Sequence, residues 1–136
     1  MEKLSVIVPC FNEQETLQDY YDAISKVRET LLGKECELQV ILVDDGSKDK
    51  TLAKMKELSG QCSWIRYISF TRNFGKEAAI YAGLTHAEGE YVSLMDVDLQ
   101  DPVEQDQAMW AFSGRSARIS RMERMAVAKG LPLLLL

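Results

Sequence analysis

Leu38-Gln39-Val40-Ile41-Leu42-Val43 is followed at once by Asp44-Asp45-Gly46-Ser47, and this stretch decides the fold. The run is apolar at every position but Gln39, so it has no polar face to turn to water. A strand of this kind is buried on both sides and belongs to a parallel sheet covered by helices. Three more runs have the same character: Leu4–Val8 ended by Pro9, Ile65–Phe70 ended by Thr71-Arg72-Asn73, and Tyr91–Met95 ended by Asp96. Each gap between runs is long enough for the crossover helix that parallel strands require.

The gaps carry helical signals. Leu17, Tyr20, Tyr21, Ile24, Val27 and Leu31 recur at helical spacing, and Gly33 closes that segment. Asn12 and Glu15 form a capping-box-like start, with Asn in the usual place of Ser or Thr. Leu52, Met55 and Leu58 predict a shorter helix after Asp49. Ala78, Ala79, Ala82 and Gly83 put small residues on one face after Gly75, which lets a third helix approach the sheet closely. The alternation predicts an α/β fold with a doubly wound, mainly parallel sheet.

The 136 residues allow a single domain, and 46% apolar with 27% charged residues is ordinary globular composition. No apolar run reaches the roughly 20 residues of a membrane span. Met1-Glu2-Lys3-Leu4 lacks the features of a signal peptide, so a cytoplasmic location is expected. Cys10, Cys36 and Cys62 are too scattered for a zinc site and read as incidental thiols in a reducing compartment. The net charge of −5 divides unevenly. Residues 105–136 set Arg115, Arg118, Arg121, Arg124 and Lys129 against Asp106 and Glu123, which is +3 and leaves −8 on residues 1–104. An acidic body excludes nucleic acid as the main partner. If it binds an anion, a divalent cation is the expected mediator.

In open α/β sheets ligands bind beyond the carboxyl ends of the strands. There this sequence places Asn12 and Glu13, Asp44 and Asp45, Arg72 and Asn73, and Asp96 and Asp98. Asp96-Val97-Asp98 offers two carboxylates to a hard cation, Mg2+ or Mn2+, with Gln100 and Asp101 close behind. Asp101-Pro102 reads as the start of a helix. No G-x-G-x-x-G follows the first strand, no P-loop is present, and no G-x-S-x-G elbow appears. A phosphate ligand would therefore be held by metal, Arg72 or Lys76. An aspartyl-phosphate phosphohydrolase does not fit, because its acidic pair follows the first strand and not the fourth.

Val8-Pro9-Cys10-Phe11-Asn12-Glu13, Val43-Asp44-Asp45-Gly46-Ser47, Arg72-Asn73-Phe74-Gly75-Lys76-Glu77 and Asp96-Val97-Asp98-Leu99-Gln100-Asp101-Pro102 together resemble family 2 glycosyltransferases. The resemblance is strongest to their polyprenyl-phosphate subgroup, the dolichyl-phosphate mannose synthases and bactoprenol glucosyltransferases. It implies a GT-A fold and inverting transfer of a hexose from a nucleotide-diphosphate sugar to a polyprenyl phosphate. UDP-glucose is the expected donor and GDP-mannose the alternative. By the same resemblance Pro9, Phe11 and Glu13 contact the base and ribose, Val43 and Asp45 hold the base, and Asp96 and Asp98 face ribose and metal, with Gln100 a second metal contact. Asn12, Asp44, Arg72, Lys76 and Val97 complete the expected donor site.

The likeness ends near Glu104, whereas family members continue into an acceptor-binding half. Residues 1–104 are thus expected to be the donor half of a truncated GT-A domain, peripheral on the cytoplasmic face of a membrane. Residues 105–136 read as a divergent, non-native or disordered tail without a strand pattern. A weakly amphipathic basic helix through Arg115–Arg124, with Ile119, Met122 and Met125, is a second reading of that tail. The functional alternative is a non-catalytic product that retains at most nucleotide binding.

Overall fold

The computed structural model describes residues 2–33 and 35–97, and the backbone of 116–118. Five strands and three helices follow one another: β1 (Glu2–Cys10), α1 (Leu17–Gly33), β2 (Cys36–Asp44), α2 (Thr51–Gln61), β3 (Ile65–Ser69), α3 (Lys76–His86), β4 (Tyr91–Leu94) and β5 (Ser116–Arg118). The sheet order is β3-β2-β1-β4-β5. The first four strands are mutually parallel, and β5 runs antiparallel to β4.

Alternation of side chains along the strands sorts the core into two layers. Leu4, Val6, Val8 and Cys10 of β1, with Leu38, Val40 and Leu42 of β2, face α1 and α2. There they meet Leu17, Tyr20, Ile24, Val27 and Leu31 of α1, and Met55 and Leu58 of α2. Ile7, Ile41 and Val43 face the other way, onto Ala79 and Leu84 of α3. Each fully buried aliphatic side chain here stabilises the fold by roughly 1.5–3 kcal/mol. The small-residue face of α3 does what its composition predicts. A Cβ added to Gly83 would lie 2.4 Å from Ile7 Cγ2, so only glycine lets the helix sit this close to the central strand.

The layer under α3 is polar at the amino-terminal end of the sheet. Ser5 and Gln39 are both buried there. Gln39 Oε1 accepts from Ser5 Oγ (2.7 Å) and from the Glu88 amide (3.0 Å), and Ser5 Oγ accepts from the Gly89 amide (2.8 Å). These bonds satisfy the turn from α3 into β4, and they explain the one polar position in the β2 run.

Several details differ from the sequence expectations. Pro9 does not end β1, since it pairs with Val43 of β2 and the strand continues to Cys10. The Cys10 carbonyl accepts from the Asp45 amide on the β2 side, so the Pro9 nitrogen faces the β4 side, where pairing has ended at Ile7 and Leu94. Its missing N–H is needed by no strand. Asn12 does not cap α1. It sits at φ 54° and bonds to a different loop. Gly33 is the last residue of α1, and the left-handed residue after the helix is Glu35, at φ 58°. β5 lies within the segment expected to lack strands, and a basic helix does not run through 116–118. Backbone groups on the open side of β4 require partners, and an antiparallel strand supplies them. Asp98, Gln100, the helix start at Asp101-Pro102, the boundary at 104 and the remainder of the basic segment lie outside the described residues.

Candidate active site

Parallel pairing brings four loops to one edge. They follow Cys10, Asp44, Ser69 and Leu94, the carboxyl ends of the four parallel strands. Hydrogen bonds between residues far apart in sequence tie these loops together.

The first loop is braced by the second. The Asn12 amide donates to Ser47 Oγ (2.9 Å), and Asn12 Oδ1 accepts from the Lys48 amide (3.0 Å). The Glu13 amide donates to Thr51 Oγ1 (2.8 Å), and Gln14 Oε1 accepts from the Lys50 amide (2.8 Å). Asn tolerates the left-handed backbone at position 12 better than most residues, which lets the chain turn out of β1 with its side chain in this bridge. Thr51, fully buried, also donates its hydroxyl to the Asp49 carboxylate. Burial raises the Asp49 pKa, but bonds from the Thr51 hydroxyl and backbone outweigh it and hold the carboxyl below its ordinary value. Glu13 closes the entry to α1. Its carbonyl accepts from the Thr16 and Leu17 amides, and its carboxylate from Thr16 Oγ1 (2.7 Å).

The second loop braces the third. Asp44 and Asp45 are both buried. Asp44 Oδ1 accepts from the Ser47 amide (3.0 Å) and turns the loop on itself. Asp45 Oδ1 accepts from the amides of Phe74 (2.8 Å) and Gly75 (3.2 Å). Gly46, at φ +75°, lies against the backbone of Arg72 and Asn73, where an added Cβ would come within 2.3 Å of the Arg72 carbonyl carbon. Arg72 stacks over Phe74 at 4.5 Å, and Phe70 meets the same ring edge-on at 5.6 Å. The fourth loop reaches the third through Lys76 Nζ and Asp96 Oδ1, 3.3 Å apart with both side chains largely exposed.

The expected site residues therefore divide. Phe11, Asn12, Arg72, Lys76 and Asp96 are exposed on this edge, and Pro9 and Glu13 are half-buried beside it. Val43 and Val97 are buried in the two hydrophobic clusters, with their side chains in the core. Cys10, next to the edge, is no nucleophile, because burial and then the charges of Glu13 and Asp44 push its thiol pKa far up. Ser47, Gln14, Asp49 and Thr51 organise the edge although the sequence pattern did not single out their partners. Each offers only the signal of a polar residue in a loop after an apolar run, and for Ser47, Gln14 and Thr51 that names no partner 35 or more residues away.

A parallel sheet flanked by helices is the architecture of a GT-A-type fold. Residues 5–127 match glycosyl transferase family 2, and the chain belongs to that family. It is 43% identical over 102 residues to the bactoprenol glucosyl transferase of Shigella phage SfV, covering 75% of this chain and 32% of that protein. It is 41% identical over 99 residues to the putative glycosyltransferase CsbB of Bacillus subtilis, covering 73% and 29%. Among solved structures it resembles the mannosyltransferase PcManGT of Pyrobaculum calidifontis in complex with GDP-Man and Mn2+, with TM-score 0.60, 26% identity, and coverage of 74% and 33%. TarS 1-349 of S. aureus in complex with UDP matches with TM-score 0.58 and 25% identity, over 71% of this chain and 27% of that one. The chain spans about a third of the length of the curated relatives it matches. No helix among the described residues is long and apolar enough to cross a membrane.

Proposed function

We propose that this chain carries the donor-binding half of a transferase that moves a hexose from a nucleotide-diphosphate sugar to a polyprenyl phosphate. The observation that carries the reading is the braced carboxyl edge, where Phe11, Arg72, Lys76 and Asp96 stand exposed on loops fixed to one another. UDP-glucose is the proposed donor, in keeping with the similarity to bactoprenol glucosyl transferases. GDP-mannose is the alternative. Phe11 offers an exposed ring for the base, and Pro9, Glu13 and Asp44 flank the same entry.

Mg2+ or Mn2+ suits the donor set. Asp96 gives a hard oxygen ligand at the tip of β4, and Asp98 and Gln100 follow it in sequence. Among the described residues no three His, Cys, Asp or Glu side chains cluster. Such a cation is commonly held by one or two carboxylates and shared with substrate phosphates. When bound, the cation would stabilise the charge developing on the leaving nucleoside diphosphate. Arg72 and Lys76 lie on the same loop-to-helix segment and would offset the remaining phosphate charge. Lys76 would exchange its contact with Asp96 for one with phosphate. An acceptor lipid phosphate is already anionic near neutral pH, so its oxygen attacks without a general base, and the protein's part is orientation and charge compensation. In-line attack would invert the sugar. A chain that reaches the lipid carrier would work at the cytoplasmic face of a membrane.

A second reading is a product that binds donor without transferring sugar. Calorimetric titration with UDP and with GDP, each with and without Mn2+, tests the donor site. Mn2+-dependent binding of one nucleotide is expected, and Asp96→Ala should abolish it. A folded chain that binds neither nucleotide would overturn the donor-site reading. Glucose transfer to polyprenyl phosphate would separate the active transferase from the binding-only product.

A further inference from the structure

We propose that Thr51 is a positioning residue for the donor's nucleoside: its buried hydroxyl fixes the loop after β1 that carries Phe11 and Glu13. The inference rests on the donor-site reading above. Thr51 is the first residue of α2 and is fully buried. Its Oγ1 accepts from the Glu13 amide at 2.8 Å. Asp49 sets the direction of that bond. The Asp49 carboxylate takes the Thr51 hydroxyl proton and, at 2.9 Å, the Thr51 amide proton. A hydroxyl has one proton to give and two lone pairs. With the proton spent on Asp49, Thr51 Oγ1 turns a lone pair toward the first loop, which is what a backbone N–H requires.

Glu13 is the middle one of three consecutive residues that bond across to the second loop. Asn12 reaches Ser47 and Lys48, and Gln14 reaches the Lys50 amide. Asn12, Gln14, Lys48 and Lys50 are exposed, so water competes for those bonds. Water does not reach Thr51, and without its oxygen the half-buried Glu13 amide loses its partner. Phe11 stands at the edge of this clamp. Just before it, the Cys10 carbonyl accepts from the Asp45 amide at 2.9 Å. Just after it come the bonds of Asn12, Glu13 and Gln14. The exposed Phe11 ring is therefore carried on backbone held from both sides, and a base that stacks on it does not have to order the loop first. Thr51 is too deep to meet the ligand itself, so it acts through Glu13 and Phe11.

The test compares the 136-residue chain with Thr51→Val, which keeps the shape and loses the hydroxyl, and with Thr51→Ser, which keeps the hydroxyl. The probes are uridine and UDP in the presence of Mn2+ (guanosine and GDP if the titration selects guanine), followed by NMR shifts, which read weak binding. In Thr51→Val the affinities for uridine and UDP should fall together by about fivefold, the scale of one hydrogen bond, while Thr51→Ser stays within about twofold of the parent. Amide exchange at Glu13 should quicken in Thr51→Val and not in Thr51→Ser. Faster exchange with unchanged nucleoside affinity would make Thr51 a structural brace only and overturn the proposal. A loss confined to UDP, an equal loss in Thr51→Ser, or unchanged exchange at Glu13 would also overturn it. A parent chain that binds neither uridine nor UDP defeats the donor-site reading and the proposal with it, whereas a parent that binds beside an unaffected Thr51→Val defeats the proposal alone. Thr51→Cys, which offers only a weak acceptor in the same place, carries the same comparisons if Thr51→Val fails to fold.

Discussion

Gly46 occupies the tightest place of any glycine among the described residues. Its φ of +75° suits glycine, and a Cβ there would overlap the Arg72 carbonyl carbon and the Asn73 nitrogen at 2.3 and 2.4 Å. Those contacts are backbone atoms and cannot swing aside. Gly46→Ala should therefore cost on the order of 2–4 kcal/mol, as a strained backbone and an overpacked contact act together. Urea denaturation checks this, and a change below about 1 kcal/mol would show that the two loops separate easily. Asp44-Asp45-Gly46-Ser47 could be recognised from its residues as a turn at a strand end. Its partners could not, because the Arg72 backbone and the Phe74 amide lie more than 25 residues away and no local pattern encodes that meeting. The same holds for Asn12. Its spacing to Glu15 suggested a local cap, yet the bonds it makes run to Ser47 and Lys48.

At the level of elements, the apolar runs located all four parallel strands, because burial on both faces leaves a composition that few other structures share. Their ends were less legible. Pro9 looked like a terminator, but only one of its two neighbouring strands reaches that far. β5 was invisible, since three residues paired to an edge carry no periodicity. The α3–β4 turn supplies an element-scale prediction. Glu88 bonds to Lys3 Nζ (3.1 Å) and Arg66 (3.0 Å), so it joins β1, β3 and the turn. The bond from Lys3 and then its charge, with Arg66 helping against slight burial, hold the Glu88 carboxyl below its ordinary value. A depressed carboxylate stabilises the fold above its unfolded pKa, and that contribution is lost as pH falls through the folded pKa. Glu88 is about half exposed, so the contribution is below about 1 kcal/mol. Thermal unfolding between pH 6 and pH 3 should show this component shrink in Lys3→Met. An identical pH dependence in that variant would show that the Lys3–Glu88 pair contributes nothing.

For the whole molecule, β1 is the shared wall. Its even-numbered residues face α1 and α2, while Ile7 faces α3 against Gly83. Ile7 is fully buried, and Ile7→Ala should cost about 2–5 kcal/mol. Because both layers share this strand, the loss should appear as one lowered transition whether followed by Trp64 on the α1 side, in a Trp110→Phe background, or by far-UV circular dichroism. Two separated transitions would mean that the layers melt independently. The strand order has a further consequence during synthesis. β1 leaves the ribosome before both of its partners, β2, beginning at Cys36, and β4, beginning at Tyr91. At roughly 5–20 residues per second, the nascent chain holds one flank of its innermost strand open for about 2–9 s after β2 has emerged. A largely apolar ribbon with a bare hydrogen-bonding side is what holdase chaperones and stray strands both recognise. The cost of placing a strand between two later ones is thus a timed dependence on whatever guards it until α3 and β4 arrive.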